Sequence, residues 1–118
     1  MEHEIYIGNL GIASEVITTI VQIAALNHDG VESVGENILT NQAKKLFNQS
    51  PANAGGVEVA VVDDKLMLSI RLSVFYGYNL KTLAQEVRLL IADAIKAQLN
   101  VEVSAIDVFI DHIVIPKN

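Results

Sequence analysis

Apolar residues recur along this chain with two different periods, and the change of period marks out the elements. Val57, Val59 and Val61 fall at every second residue, as do Leu66, Leu68, Ile70, Leu72 and Val74. Period two is the pattern of half-buried strands, so residues 57–62 and 66–74 are expected to be strands. Asp63-Asp64-Lys65 between them supplies the residues of a hairpin turn. After Tyr76-Gly77 the period becomes helical. Leu80, Leu83, Ala84, Val87, Leu90, Ile91, Ala94, Ile95 and Leu99 make one stripe, and Asn79 is placed to cap it. Lys81, Gln85, Glu86, Arg88, Asp93 and Lys96 fall on the solvated side of that helix.

An earlier helix is expected to begin at Ser14, read as its N-cap, with Glu15 complementing the helix dipole. From Val16 onward, Ile17, Ile20, Val21, Ala24 and Ala25 form its apolar stripe, widened by Ile23 and Leu26. It should end near Asn27-His28-Asp29-Gly30, with Gly30 in a left-handed conformation just beyond the C-cap. Glu4 to Ile7 and Val31 to Val34 read as short strands closed by Gly8 and Gly35. Ile38, Leu39, Ala43, Leu46 and Phe47 suggest a short extra helix, and the turn formers from Asn48 to Gly56 suggest a mobile loop. In the last strand Ile106, Val108 and Ile110 alternate with Asp107, Phe109 and Asp111, after which Ile113 and Ile115 are out of phase. A one-residue slip turns every later side chain to the other face, so a bulge or strand end is expected at Asp111-His112.

These elements predict one α+β domain over residues 1–118. It should hold a three- to four-stranded sheet with the two main helices packed on one face, plus the short extra helix and the mobile loop in the middle. A ferredoxin-like strand order is compatible with this pattern. Of the residues 51% are hydrophobic but only 5% aromatic, and Trp is absent, so the core must be aliphatic. The formal net charge of -6 opposes contact with phosphate backbones and anionic lipids, and Lys44-Lys45 is the only adjacent basic pair. The absence of cysteine excludes disulfides, thiolate catalysis and Cys-based metal sites. Met1-Glu2-His3-Glu4 lacks the basic start and apolar core of a signal peptide. No apolar run approaches the ~20 residues of a membrane span, so an intracellular, soluble, non-secreted domain without direct membrane insertion is expected.

Little in the sequence carries chemistry. His3, His28 and His112 stand at a chain end, a helix end and the strand irregularity, with no metal-ligand spacing among them. His28 reads as a helix-end cation and His112 as a surface residue. Asp63 and Asp64 read as turn residues, and Ser69 and Ser73 flank Arg71 with no histidine near. Neither a nucleophile elbow nor a phosphate-binding glycine loop is present. No catalytic, cofactor-binding or metal site is therefore expected. What remains is apolar surface: Met67 and Phe109 point away from the buried faces of their strands, toward the side of the sheet that the helices leave open. With Tyr76 and Tyr78 at the strand-to-helix turn, they form a candidate protein-interaction surface.

The order of these pieces resembles the alkaline shock protein, or envelope-stress-response, family of Gram-positive bacteria, in its short stand-alone form. Residues Ile12-Ala13-Ser14-Glu15-Val16-Ile17 through Ala24-Ala25 are similar to its first helix, and Asp29-Gly30-Val31 to the turn that follows. Leu72-Ser73-Val74-Phe75-Tyr76-Gly77 with Leu80 and Val87 resembles its strand, Tyr-Gly turn and helix, and Val103 to Ile113 its closing strand. The chain departs from the family at His112, where glycine is usual. The resemblance implies a non-catalytic, self-associating cytoplasmic protein in envelope stress response or homeostasis, needing no cofactor. It also implies homo-oligomers, and a membrane-anchored partner with a similar domain through which the protein would reach the membrane. A regulatory or adaptor subunit of a partner enzyme is the alternative. An RNA-binding module comes third, because the charge and the scarcity of aromatics oppose binding to nucleic acid.

Overall fold

The computed structural model describes residues 4–35 and 56–116. The extra helix expected from Ile38 to Phe47, the loop from Asn48 as far as residue 55, the Lys44-Lys45 pair and His3 lie outside the described residues. Strands β1 (Glu4–Ile7) and β2 (Leu10–Ala13) pair antiparallel as a two-stranded sheet of their own. β2 escapes sequence reading because Leu10-Gly11-Ile12-Ala13 is too short and too glycine- and alanine-rich to show a period. It runs without a linker into helix α1 (Ser14–Leu26). That direct join moves the cap. Ala13 holds the N-cap position with no side-chain bond, and Ser14 is a buried helical residue instead of the cap expected of it.

The larger sheet contains β3 (Val31–Val34), β4 (Val57–Val62), β5 (Lys65–Phe75) and β6 (Val103–Val114), with α2 (Leu80–Leu99) linking the last two. β6 runs parallel to β5 from Leu66 to Phe75 and occupies one edge of it throughout. β3 and β4 therefore share the other edge end to end, both antiparallel, β3 against Leu72–Val74 and β4 against Lys65–Ile70. The lane they form is nearly continuous: Gly35 N–H donates to the Arg71 carbonyl at 2.8 Å, and Val57 pairs with the next residue, Ile70. The chain leaves this lane at Gly35 and re-enters it at Gly56. Both glycines have positive φ, 82° and 77°, and a Cβ on Gly56 would lie 2.5 Å from Gly35 Cα. Only glycine fits so close an approach with that handedness.

The inner face of β5 carries Leu66, Leu68, Ile70, Leu72 and Val74, all buried. Over it pack Ile17, Val21, Ala24 and Ala25 of α1 and Leu83, Val87, Ile91 and Ile95 of α2, an aliphatic core. α1 contacts β3 and β4, and α2 contacts β6. α2 begins as its sequence predicts, with the Asn79 side chain accepting from Thr82 N–H at 3.0 Å. The hairpin turn falls on Asp63 and Asp64, both at positive φ as a two-residue turn of this twist requires. In β6 the pairing passes from Leu72 with Ile110 to Ser73 with His112. Asp111 is thus the extra residue of a bulge, which restores Ile113 to the inner face beside Val74.

Two details of the α1 exit differ from expectation. Gly30 is not left-handed; the helix closes earlier, with Asn27 N–H and His28 N–H bonding to the carbonyls of Ala24 and Ala25. Glycine stands at position 30 because a Cβ there would lie 2.7 Å from Leu83 Cδ1 and 2.9 Å from Tyr78 Cδ2. It also anchors the sheet, its carbonyl accepting from Phe75 N–H at 2.9 Å.

Candidate functional site

Among the described residues several surfaces are open to a partner, and the four residues singled out by sequence do not gather on one of them. The outer face of the large sheet carries Met67 and Phe109, both exposed. In register, Met67 lies beside Ala60 and Ala105, whereas Phe109 lies beside Arg71. Between the two come Ser69 and its neighbours Glu58 and Asp107. The Arg71 guanidinium sits 4.9 Å from the centre of the Phe109 ring and donates to Asp111 Oδ1 at 2.9 Å. This face is a charged surface holding two separate apolar spots. Tyr76 is exposed in the turn after β5, its N–H bonded to the Val114 carbonyl.

Tyr78 belongs to the helix side. Its ring meets the His28 ring edge-on at 6.0 Å, above a shallow hollow of about 550 Å³ lined also by Glu86, Leu89, Leu90 and Asp93. His28 Nδ1 accepts from Gly30 N–H at 2.9 Å, which leaves the ring proton on Nε2, and Nε2 donates to Glu86 Oε1 at 2.7 Å. The imidazole ties the end of α1 to α2 through these two bonds. His28→Ala should cost about 1–2 kcal/mol by leaving the part-buried Gly30 N–H without an acceptor. Glu86→Gln, at the exposed end of the bridge, should change stability by less than about 0.5 kcal/mol. Thermal unfolding of the two variants checks the difference.

A third surface is the outside of α1. Ile23 and Leu26, read from sequence as part of the buried stripe, are 60% and 50% exposed, and Val16 is 44% exposed. Their apolar character placed them with the buried stripe, and only Glu15 in this helix is charged. Arg88, expected on the solvated side of α2, instead reaches down to β6, its Nε donating to the Ile106 carbonyl at 3.0 Å. On the small hairpin Tyr6 is exposed and donates to Glu4 Oε1 at 2.9 Å, a bond to a carboxylate that raises the phenol above its ordinary pKa. Among the described residues no group of three or more His, Cys, Asp or Glu is arranged to hold a metal ion, and no helix is long and apolar enough to cross a membrane.

Residues 2–115 match the alkaline shock protein 23 family, described as having a cell envelope-related function. The uncharacterized protein YqhY of Bacillus subtilis (strain 168) is 29% identical over 112 residues, covering 93% of this chain and 81% of its own. Among solved structures, a variant of the MamM C-terminal domain in a zinc form superposes with a TM-score of 0.50 at 12% identity, over 84% of this chain and 85% of that one. A second MamM variant gives the same TM-score and identity over 84% of this chain and 92% of its own. At that identity the likeness shows a shared fold and nothing of function.

Proposed function

The chain belongs to the alkaline shock protein 23 family, and from that premise we propose that it is a non-catalytic, self-associating protein of cell-envelope stress response or homeostasis. Its place in this reading is the cytoplasm, and it reaches the envelope through a protein partner with a similar domain. The observation that carries the self-association is the large apolar side chains left in solvent among the described residues: Ile23, Leu89 and Tyr76 are each at least 60% exposed. Exposed side chains of this size mark protein contact where they gather into a patch. A charge of -6 favours a protein surface over a phosphate-rich one.

Sedimentation velocity over a wide concentration range tests the reading. The weight-average mass is expected to rise with concentration. A mass that stays at the monomer's 12.8 kDa throughout would remove self-association and leave the adaptor role, to be pursued by pull-down from the native cell.

A further inference from the structure

The self-association just proposed names no surface; among the described residues the open sheet face, the free edge of β6 and the outer face of α1 can be compared. The open sheet face is unsuited, because its apolar spots at Met67 and Phe109 are separated by Ser69 and Asp107, and Phe109 is already covered on one side by Arg71. The free edge of β6 is blunted in the ways that prevent edge pairing: a bulge at Asp111, carboxylates at Asp107 and Asp111, and Arg88 capping the Ile106 carbonyl. The outer face of α1 has no such protection.

Resting on the self-association reading, we propose that a second copy of this chain docks on the outer face of α1, the two α1 helices lying antiparallel across a two-fold axis. Val16, Thr19, Ile23 and Leu26 are spaced three, four and three residues apart, which puts them on one stripe of the helix. All four are exposed. The spacing reads the same in both directions. Val16 lies as far before residue 21 as Leu26 lies after it, and Thr19 as far before as Ile23 after. An antiparallel copy therefore sets Val16 against Leu26 of the partner subunit, and Thr19 against the partner's Ile23, twice over. This self-complementarity is what an isologous contact demands and what an unrelated partner would not.

Charge points the same way. Two molecules of charge -6 repel, and they meet at least cost where carboxylates are fewest; α1 carries Glu15 alone. A lipid surface fits less well, since helices that lie on membranes carry Lys or Arg along the polar face and α1 has neither. Thirteen residues of helix span only about 20 Å. The contact therefore belongs to the small, concentration-dependent class, below about 1,200 Å² in total.

The chain has no cysteine, so single cysteines at exposed positions are clean reporters. An equal mixture of Val16→Cys and Leu26→Cys is expected to form the mixed disulfide under mild oxidation. Val16→Cys alone should not link, because its two copies lie about 15 Å apart along an antiparallel pair. In sedimentation, Ile23→Lys should weaken association at least ten-fold, and Met67→Lys should leave it unchanged. Self-linking of Val16→Cys without the mixed product, or association indifferent to Ile23→Lys, would overturn the α1 surface while wild-type self-association still stood. A wild-type protein that stays monomeric at every concentration, or that floats with zwitterionic vesicles as a monomer, would overturn both.

Discussion

Gly56→Ala is expected to destabilise the protein by roughly 2–4 kcal/mol, far more than alanine costs at an ordinary loop glycine. Two penalties combine at this position. A φ of 77° is left-handed, which costs an L-residue about 1–2 kcal/mol. The added methyl would also lie 2.5 Å from Gly35 Cα and 2.9 Å from Gly35 N. Those are backbone atoms and cannot swing aside, so β3 and β4 must part where they meet. The bond from Gly35 N–H to the Arg71 carbonyl then lengthens, and the edge of the sheet opens beside Ile70. Gly8→Ala is the control, because Gly8 has a φ of 59° with nothing within 4 Å of its Cβ position. It should lose only the conformational part, about 1 kcal/mol. Equal losses in urea titrations of the two variants would show that handedness alone matters and that the junction is not tight.

The same junction shows where sequence reading reaches its limit. Residues 31–34 and 57–62 each display a strand period, yet nothing local says that two segments separated by more than twenty residues lie end to end on one neighbour. That arrangement depends on which edge of β5 is left once β6 has taken the other. The parallel sense of β6 is tertiary too, although α2 between β5 and β6 is the length of crossover that parallel pairing needs. What sequence could state were features with a local cause: the Asp63-Asp64 turn, the Asn79 cap, and the phase slip that became the Asp111 bulge. At Gly30 a residue type favoured for one local role was claimed by tertiary packing against Leu83 and Tyr78, and at Ser14 the direct join of β2 to α1 moved the cap to Ala13. The candidate surface followed the same division. Alternation was enough to place Met67 and Phe109 on the open side, but not to see that Arg71 covers Phe109 or that Tyr78 packs beside His28. The stripe on α1 was missed because Ile23 and Leu26 are as apolar as the buried residues beside them, and residue type alone does not tell an exposed apolar side chain from a buried one.

Strand β5 offers the sharpest comparison of its two faces within one element. Ile70→Ala is expected to cost about 3–4 kcal/mol, a large part of the ~5–15 kcal/mol that holds a domain of this size folded. Ile70 has no exposed surface and lies at the middle of the sheet, between Val57 in β4 and Val108 in β6, beneath the helix layer. Neighbours on both strands and above are already fixed by their own contacts, so the space left by the deleted groups cannot close. Met67→Ala, three residues earlier on the opposite face, removes a side chain that is 38% exposed and flanked by Ala60 and Ala105. Its cost should stay within about 1 kcal/mol, since little buried contact is lost. In thermal melts the first variant should fall roughly 12–20 °C below wild type and the second no more than about 5 °C. A Met67→Ala loss approaching that of Ile70→Ala would mean that something covers the outer face of the sheet in the isolated protein, and the two faces would then have to be reassigned.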